Sequence, residues 1–150
     1  MVLGFQPEMD FQRLIGWKLS EVTVDKCHVM FFFNNNHDLL NVADRFSYRS
    51  ADGSCCYTYE IYGERQFLDV AAILWTAISD VEIVSRSELK LVFETGASIS
   101  IFDNPRFRSW WFMPVTENGR KLWISDKDLD ELTDEEIAAG AGTGQGSAGS

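Results

Sequence analysis

The chain has 150 residues, is 45% hydrophobic and 13% aromatic, and carries a formal net charge of -10. That length suits one domain with a sizeable core, and that apolar fraction excludes a disordered chain. The acidity argues against nucleic acid or an anionic membrane as direct partners, because both need a basic footprint, and it suits steering toward a basic protein.

Residues 8–15 place Phe11, Leu14 and Ile15 at helix-like spacing with Pro7 at a first-turn position, which predicts a short N-terminal helix ending at Gly16. From Trp17 the period changes to two. Leu19, Val22 and Val24 lead through an Asp25-Lys26 turn to Val29, Phe31 and Phe33. The run Phe31-Phe32-Phe33 predicts a strand covered on both faces. Asn34 to Asp38 reads as a hairpin turn, and Leu39 to Val42 as the returning strand. Phe46 to Arg49 either continues that strand or starts another, and after the Ala51-Asp52-Gly53-Ser54 turn Cys55 to Ile61 alternates aromatic and small residues as a strand would. Phe67, Val70, Ala71 and Leu74 fall at i, i+3, i+4 and i+7, predicting an amphipathic helix over 64–76. Ser79–Val84, Glu88–Glu94 and Ala97–Asp103 then read as three strands, broken by Asn104-Pro105. Phe107–Met113 and Lys121–Ile124 are extended segments. Ser125 to Glu136 carries helix N-cap signals, including a capping box from Thr133 to Glu136, and 140–150 is a flexible Gly, Ala and Ser tail.

The chain repeats itself. Leu19 to Val24 is echoed by Ile78 to Ile83, Val29, Phe31 and Phe33 by Leu89, Leu91 and Phe93, and Leu39 and Asn41 by Ile99 and Ile101. The reading is one α+β domain over 1–139: two related three-stranded antiparallel units, about 17–42 and 76–103, joined by the amphipathic helix and flanked by short N- and C-terminal helices.

The 3 Cys include the adjacent Cys55 and Cys56 and no CxxC, which is no disulfide scaffold. The N-terminus lacks a basic region and a long apolar run, and no stretch reaches the length of a membrane span, so a cytoplasmic setting is expected. His28 and His37 stand in no metal-ligand spacing, and a site built from Cys27, His28, Cys55 and Cys56 has no supporting pattern. Asp126, Asp128 and Asp130 begin like a calcium loop, but Glu131 and Ile137 occupy its Gly and Glu positions. Phosphate-binding and hydrolase motifs are missing, so neither catalysis, metal nor cofactor is expected. Trp110-Trp111 offers an aromatic anchor, since neighbours on a strand face opposite ways.

Leu89-x-Leu91-x-Phe93-x-x-Gly96-x-x-Ile99-x-Ile101-x-Asp103, followed by Arg108-Ser109-Trp110, resembles a group of small bacterial proteins that includes immunity proteins of secreted-toxin systems. The resemblance covers roughly residues 14 to 112. Related sequences often carry an acidic residue where this chain has Arg108. It implies a binding protein that occludes a cognate, possibly basic, toxin. The residues expected to meet that partner are Glu82, Glu88, Glu94, Asp103, Arg108 and Trp110. An adaptor or chaperone working through the acidic C-terminal segment, and a binder of small ligands, are the alternatives.

Overall fold

Alternating apolar residues need a partner face, and here the two strand sets supply one another. The computed structural model describes residues 4–7, 9–63, 69–106, 109–114 and 123–124. Its strands are β1 (Leu19–Val24), β2 (Val29–Phe33), β3 (Asp38–Val42), β4 (Arg45–Arg49), β5 (Cys56–Glu60), β6 (Ile78–Ser85), β7 (Glu88–Phe93), β8 (Ser98–Phe102), β9 (Trp110–Pro114) and β10 (Trp123–Ile124). They form two antiparallel five-stranded sheets, β1-β2-β3-β9-β10 and β5-β4-β8-β7-β6.

This order corrects the α+β expectation. Among the described residues there is no helix of seven or more residues, and the fold is mostly β. The expected N-terminal helix is a 3-10 turn at Phe11–Leu14. Residues 64–68 of the expected connecting helix lie outside the described residues, and the rest contains only a 3-10 turn at Ala71–Ile73. Val70 has left helical geometry at φ -123, Leu74 is extended at φ -60 and ψ 137, and Trp75 has φ +69. The apolar spacing that suggested a helix serves a different end. Val70 and Ile73 plug into the core while Ala71 and Ala72 face solvent. The expected C-terminal helix over 125–139 and the tail lie outside the described residues.

The sheets also regroup the expected three-stranded units. β4, which follows the first unit, pairs with β8 of the second, and β9, which follows the second, pairs with β3 of the first. Each sheet therefore keeps the three strands of one unit together and adds the two strands that follow the other. Phe46 stands opposite Ile101, and Trp110 opposite Val42, in corresponding places.

The inward rows are Val29, Phe31, Phe33, Leu40, Val42, Trp110 and Phe112 from one sheet, and Phe46, Tyr48, Leu89, Leu91, Phe93, Ile99 and Ile101 from the other, in one cluster. The rings of Phe31 and Phe46, on different sheets, meet edge to face at 5.2 Å. The return strand of the first copy differs from expectation by one residue. Phe31 pairs with Leu40 and Leu91 with Ile99, so Leu40 and Val42, not Leu39 and Asn41, correspond to Ile99 and Ile101. The cause is the first copy's longer turn, in which Asn34, Asn35 and Asn36 all take left-handed φ of 58, 57 and 67. A one-residue shift exchanges the two faces of a strand.

The copies meet at one corner through backbone pairing about a Lys18–Ala77 bridge. Here every hydrogen bond has a counterpart. Ile78 N–H donates to Trp17 O at 2.8 Å, and Leu19 N–H to Thr76 O at 3.0 Å; Gly16 N–H donates to Ile78 O, and Trp75 N–H to Leu19 O, each at 2.7 Å. The next shell repeats the pattern. Asn34 exchanges bonds with Lys18 through its own N–H and Oδ1, and Glu94 does the same with Ala77 through its N–H and Oε2. The corner thus lies on a local two-fold relation between the copies.

Phe31→Ala should lower unfolding free energy by about 3–5 kcal/mol, because the ring is fully buried at the contact between the sheets. Chemical denaturation measures this, and a loss below about 1 kcal/mol would contradict the packing described.

Candidate functional site

The exposed surface of the second sheet is built by the residues that alternate with its core row. Reading across the strands, Glu82 stands opposite Lys90, Lys90 opposite Ser100, Ser100 opposite Ser47, and Ser47 opposite Thr58. On one side of this row lie Asp80, Val92, Ser98, Arg49 and Cys56. On the other lie Glu88, Phe102, Arg45 and Glu60, with the Arg45 guanidinium 4.3 Å from the centre of the Phe102 ring. Small side chains hold the middle: Ser98 and Ser100 are each 7% exposed although they point outward. The result is an outer face whose middle is lined by serines. Its acids gather along β6 and β7, and its arginines stand on β4.

Glu82 and Glu88 both belong to this face, on either side of Lys90, and are available from solvent. The other expected contact residues are placed elsewhere. Glu94 is exposed but closes the corner, its carboxylate accepting from Ala77 N–H at 3.0 Å. Asp103 accepts from the indole N–H of Trp110 at 2.8 Å. Arg108 lies outside the described residues. Trp110 is completely buried, so it does not present the anchor expected of it. Two things hold it inside. Phe5 stacks on it at 4.5 Å and Phe11 packs at 6.0 Å, while Asp103 satisfies the N–H that would otherwise favour water.

Trp111 does point away from the core, as alternation requires, and yet is only 3% exposed. It lies on the outer face of the first sheet opposite Asn41, with Leu39 and Met113 beside the pair and the His28 ring 5.8 Å away. Asn41 Oδ1 and Trp111 Nε1 are both buried and find no hydrogen-bond partner among the described residues. Unlike the second sheet's polar face, this one carries Met30, Phe32 and Leu39.

A cleft of about 470 Å³ separates the N-terminal segment from β6, lined by Pro7, Met9, Asp10, Phe11, Gln12, Val81 and Ile83. Gln12 commits its amide to Val81 O at 3.4 Å. Its carboxylate is Asp10, set among apolar walls. Among the described residues no cluster of three or more His, Cys, Asp or Glu is arranged to hold a metal, and Cys27, Cys55 and Cys56 are free thiols on the surface. No described helix is long and apolar enough to cross a membrane.

Among the described residues the large exposed aromatics are Tyr62 and Trp75, at 66% and 61%. Trp75 is absent from the set expected from sequence. Its signal was legible in the repeat, which extends further upstream than residue 17: Leu14-Ile15-Gly16-Trp17 corresponds to Ile73-Leu74-Trp75-Thr76. Trp75 stands in the place of Gly16.

Comparison with family models, with curated proteins and with solved structures gives no match to this chain.

Asp103→Ala should cost about 1–3 kcal/mol, since it leaves the buried Trp110 N–H unsatisfied, whereas Asp103→Asn keeps an acceptor oxygen and should cost less. Thermal unfolding of the two variants side by side tests this, and equal losses would show that the charge rather than the acceptor matters.

Proposed function

We propose that this protein is an immunity-type inhibitor that binds a basic cognate toxin and occludes it. The observation that carries this reading is the outer face of the second sheet, which carries the exposed Asp80 and Glu82 on β6 and the half-buried Glu88 on β7. A sheet face is rigid, so its charges are held in fixed relation before any partner arrives, which limits the ordering cost of association. The net charge of -10 extends the same field over the whole molecule and accelerates encounter with a basic surface. The sequence resemblance to immunity proteins points to the same class of partner. Nothing in the reading needs a bound cofactor or a bond-making step.

The serine-lined middle explains how such a face accepts another protein closely. Ser47, Ser98 and Ser100 keep the centre low and supply hydroxyls, while Lys90, Arg45 and Arg49 give register through charge. Like-charge juxtaposition against a wrong partner is the source of specificity in such arrangements.

The test is binding to the product of the gene adjacent to this one. The complex is expected to form with an association rate that falls steeply with added salt. Reversing Glu82→Lys together with Glu88→Lys should slow association about 10-fold at low ionic strength and change dissociation less. Stopped-flow or surface-based kinetics read both rates. Failure of the wild-type chain to bind, or binding indifferent to salt, counts against the proposal. Binding that disappears on removal of residues 125–150, with the double reversal silent, would move the function to an adaptor acting through the C-terminal segment.

A further inference from the structure

The corner between the copies contains one residue that its backbone does not favour. In the first copy, Leu14 to Trp17 is a type II turn. Ile15 has φ -62 and ψ 130, Gly16 has φ +95, and Trp17 N–H returns to Leu14 O at 3.0 Å. Such a turn requires positive φ at its third residue, which is why glycine stands there. The second copy makes the same turn over Ile73 to Thr76. Leu74 has φ -60 and ψ 137, Thr76 N–H returns to Ile73 O at 3.1 Å, and the third residue is Trp75 at φ +69. Gly16 and Trp75 also donate equivalent hydrogen bonds across the corner. The same backbone task is therefore given to glycine once and to a bulky aromatic once. Left-handed φ in a bulky residue is strained, and strain of this kind is retained where something else over-determines it.

The interior of the fold does not repay it. Trp75 is 61% exposed, and among the described residues its indole makes no ring contact and its N–H finds no acceptor. Two carboxylates are fixed in the same neighbourhood. Glu94 is tied to Ala77 N–H, two residues along the chain. Glu21 accepts from Asn36 Nδ2 at 2.7 Å, and Asn36 N–H in turn bonds Ser20, next to the Leu19 carbonyl that receives the Trp75 amide. An exposed indole at the junction of the two copies, with Glu94 bonded to the Ala77 amide and Glu21 to Asn36 on the segments that meet there, has the composition of a binding hot spot for a cationic surface.

We infer that Trp75 is the anchor of the partner interface, entering an apolar recess in a basic protein while Glu21 and Glu94 meet cations at its rim. This rests on the reading of the protein as an inhibitor of a basic toxin, and it adds the residue on which affinity turns. A rigid aromatic held at a fixed angle loses little freedom on binding, which is the advantage gained by placing tryptophan where glycine would relax the turn.

The experiment uses the full chain with Trp75→Gly and Trp75→Asn, because both replacements tolerate left-handed φ. Their melting temperatures should be unchanged or raised by a few degrees, since relief of the turn opposes the extra freedom of the unfolded chain. Affinity for the adjacent gene product should fall at least 30-fold, the loss that defines a hot spot. In the wild type, complex formation should also shield Trp75 from acrylamide quenching, a change missing from either variant. A melting temperature lowered by more than about 5 °C in both variants would make Trp75 a structural residue and overturn the inference. Wild-type binding that both variants retain would remove the anchor alone, leaving the inhibitor reading in place. No binding by the wild type would remove both.

Discussion

Everything in this fold turns on a short stretch of backbone pairing, residues 16 to 19 against 75 to 78. The two copies of the repeat are tied there by four hydrogen bonds arranged as equivalent pairs, and the flanking turns repeat on each side. Pairing between equivalent segments fixes the relation of one sheet to the other. With that relation set, the inward rows of the two sheets face each other, and Phe31 can meet Phe46. The 3-10 turns before β1 and β6 then carry Phe11, Leu14, Val70 and Ile73 into the core. A duplicated sequence does more than supply two similar pieces: antiparallel pairing of identical segments is self-complementary, so one solution serves twice.

Exchange of the fourth strands turns that contact into a single body. Had β4 stayed with β3, and β9 with β8, each copy could have formed its own sheet and the core between them would depend on side chains alone. Instead β3 is hydrogen-bonded to β9 and β8 to β4, so each sheet needs both copies. The copies' connections differ in length. β3 passes to β4 through Ala43 and Asp44, while β8 reaches β9 across a longer segment in which Asn104 N–H bonds the Ser109 hydroxyl. That longer route brings Asp103 to Trp110, a bond with no analogue at Phe46, which lacks an N–H to satisfy.

Strand positions were legible in the sequence because alternation is a local signal that survives whatever the strand pairs with. The positions of β1, β2, β6, β7 and β8 are recognisable from Leu19, Phe31, Val81, Leu91 and Ile99 and their two-residue periods. The exchange was not legible, since nothing local in Phe46 or Trp110 says which distant strand will receive it. The connecting helix misled for a related reason. Val70 and Leu74 match a helical face, but three or four apolar residues fit a 3-10 plug equally well, and the deciding feature is the positive φ two residues past Ile73. Burial of Trp110 is not legible because its acceptor, Asp103, lies seven residues upstream in the loop before β9, and only the folded loop brings the two together. Alternation alone turns Glu88 away from the row of Leu89, Leu91 and Phe93, while Glu94 reads as a surface acid until the Ala77 amide beside it is seen.

The two outer faces differ in chemistry. The first sheet turns Met30, Phe32, Leu39 and Trp111 outward, and the second turns out serines, arginines and acids. The difference traces to the middle strands. Phe32 and Leu39 occupy in one copy the places that Val92 and Ser98 occupy in the other, and Asn41 sits where Ser100 does. Since the inward rows are apolar in both copies, selection for folding alone leaves the outer rows free to diverge. They have diverged toward an apolar row on one side, in which Leu39 and Trp111 are buried, and toward a polar, charged row on the other. The corner diverged in the same sense, from Gly16 to Trp75 and from Asn34 to Glu94, each change adding an aromatic or a charge to the second copy at a position whose backbone role was already met without it. The first copy keeps the residues that the geometry asks for, and the second departs from them on the surface it presents to solvent.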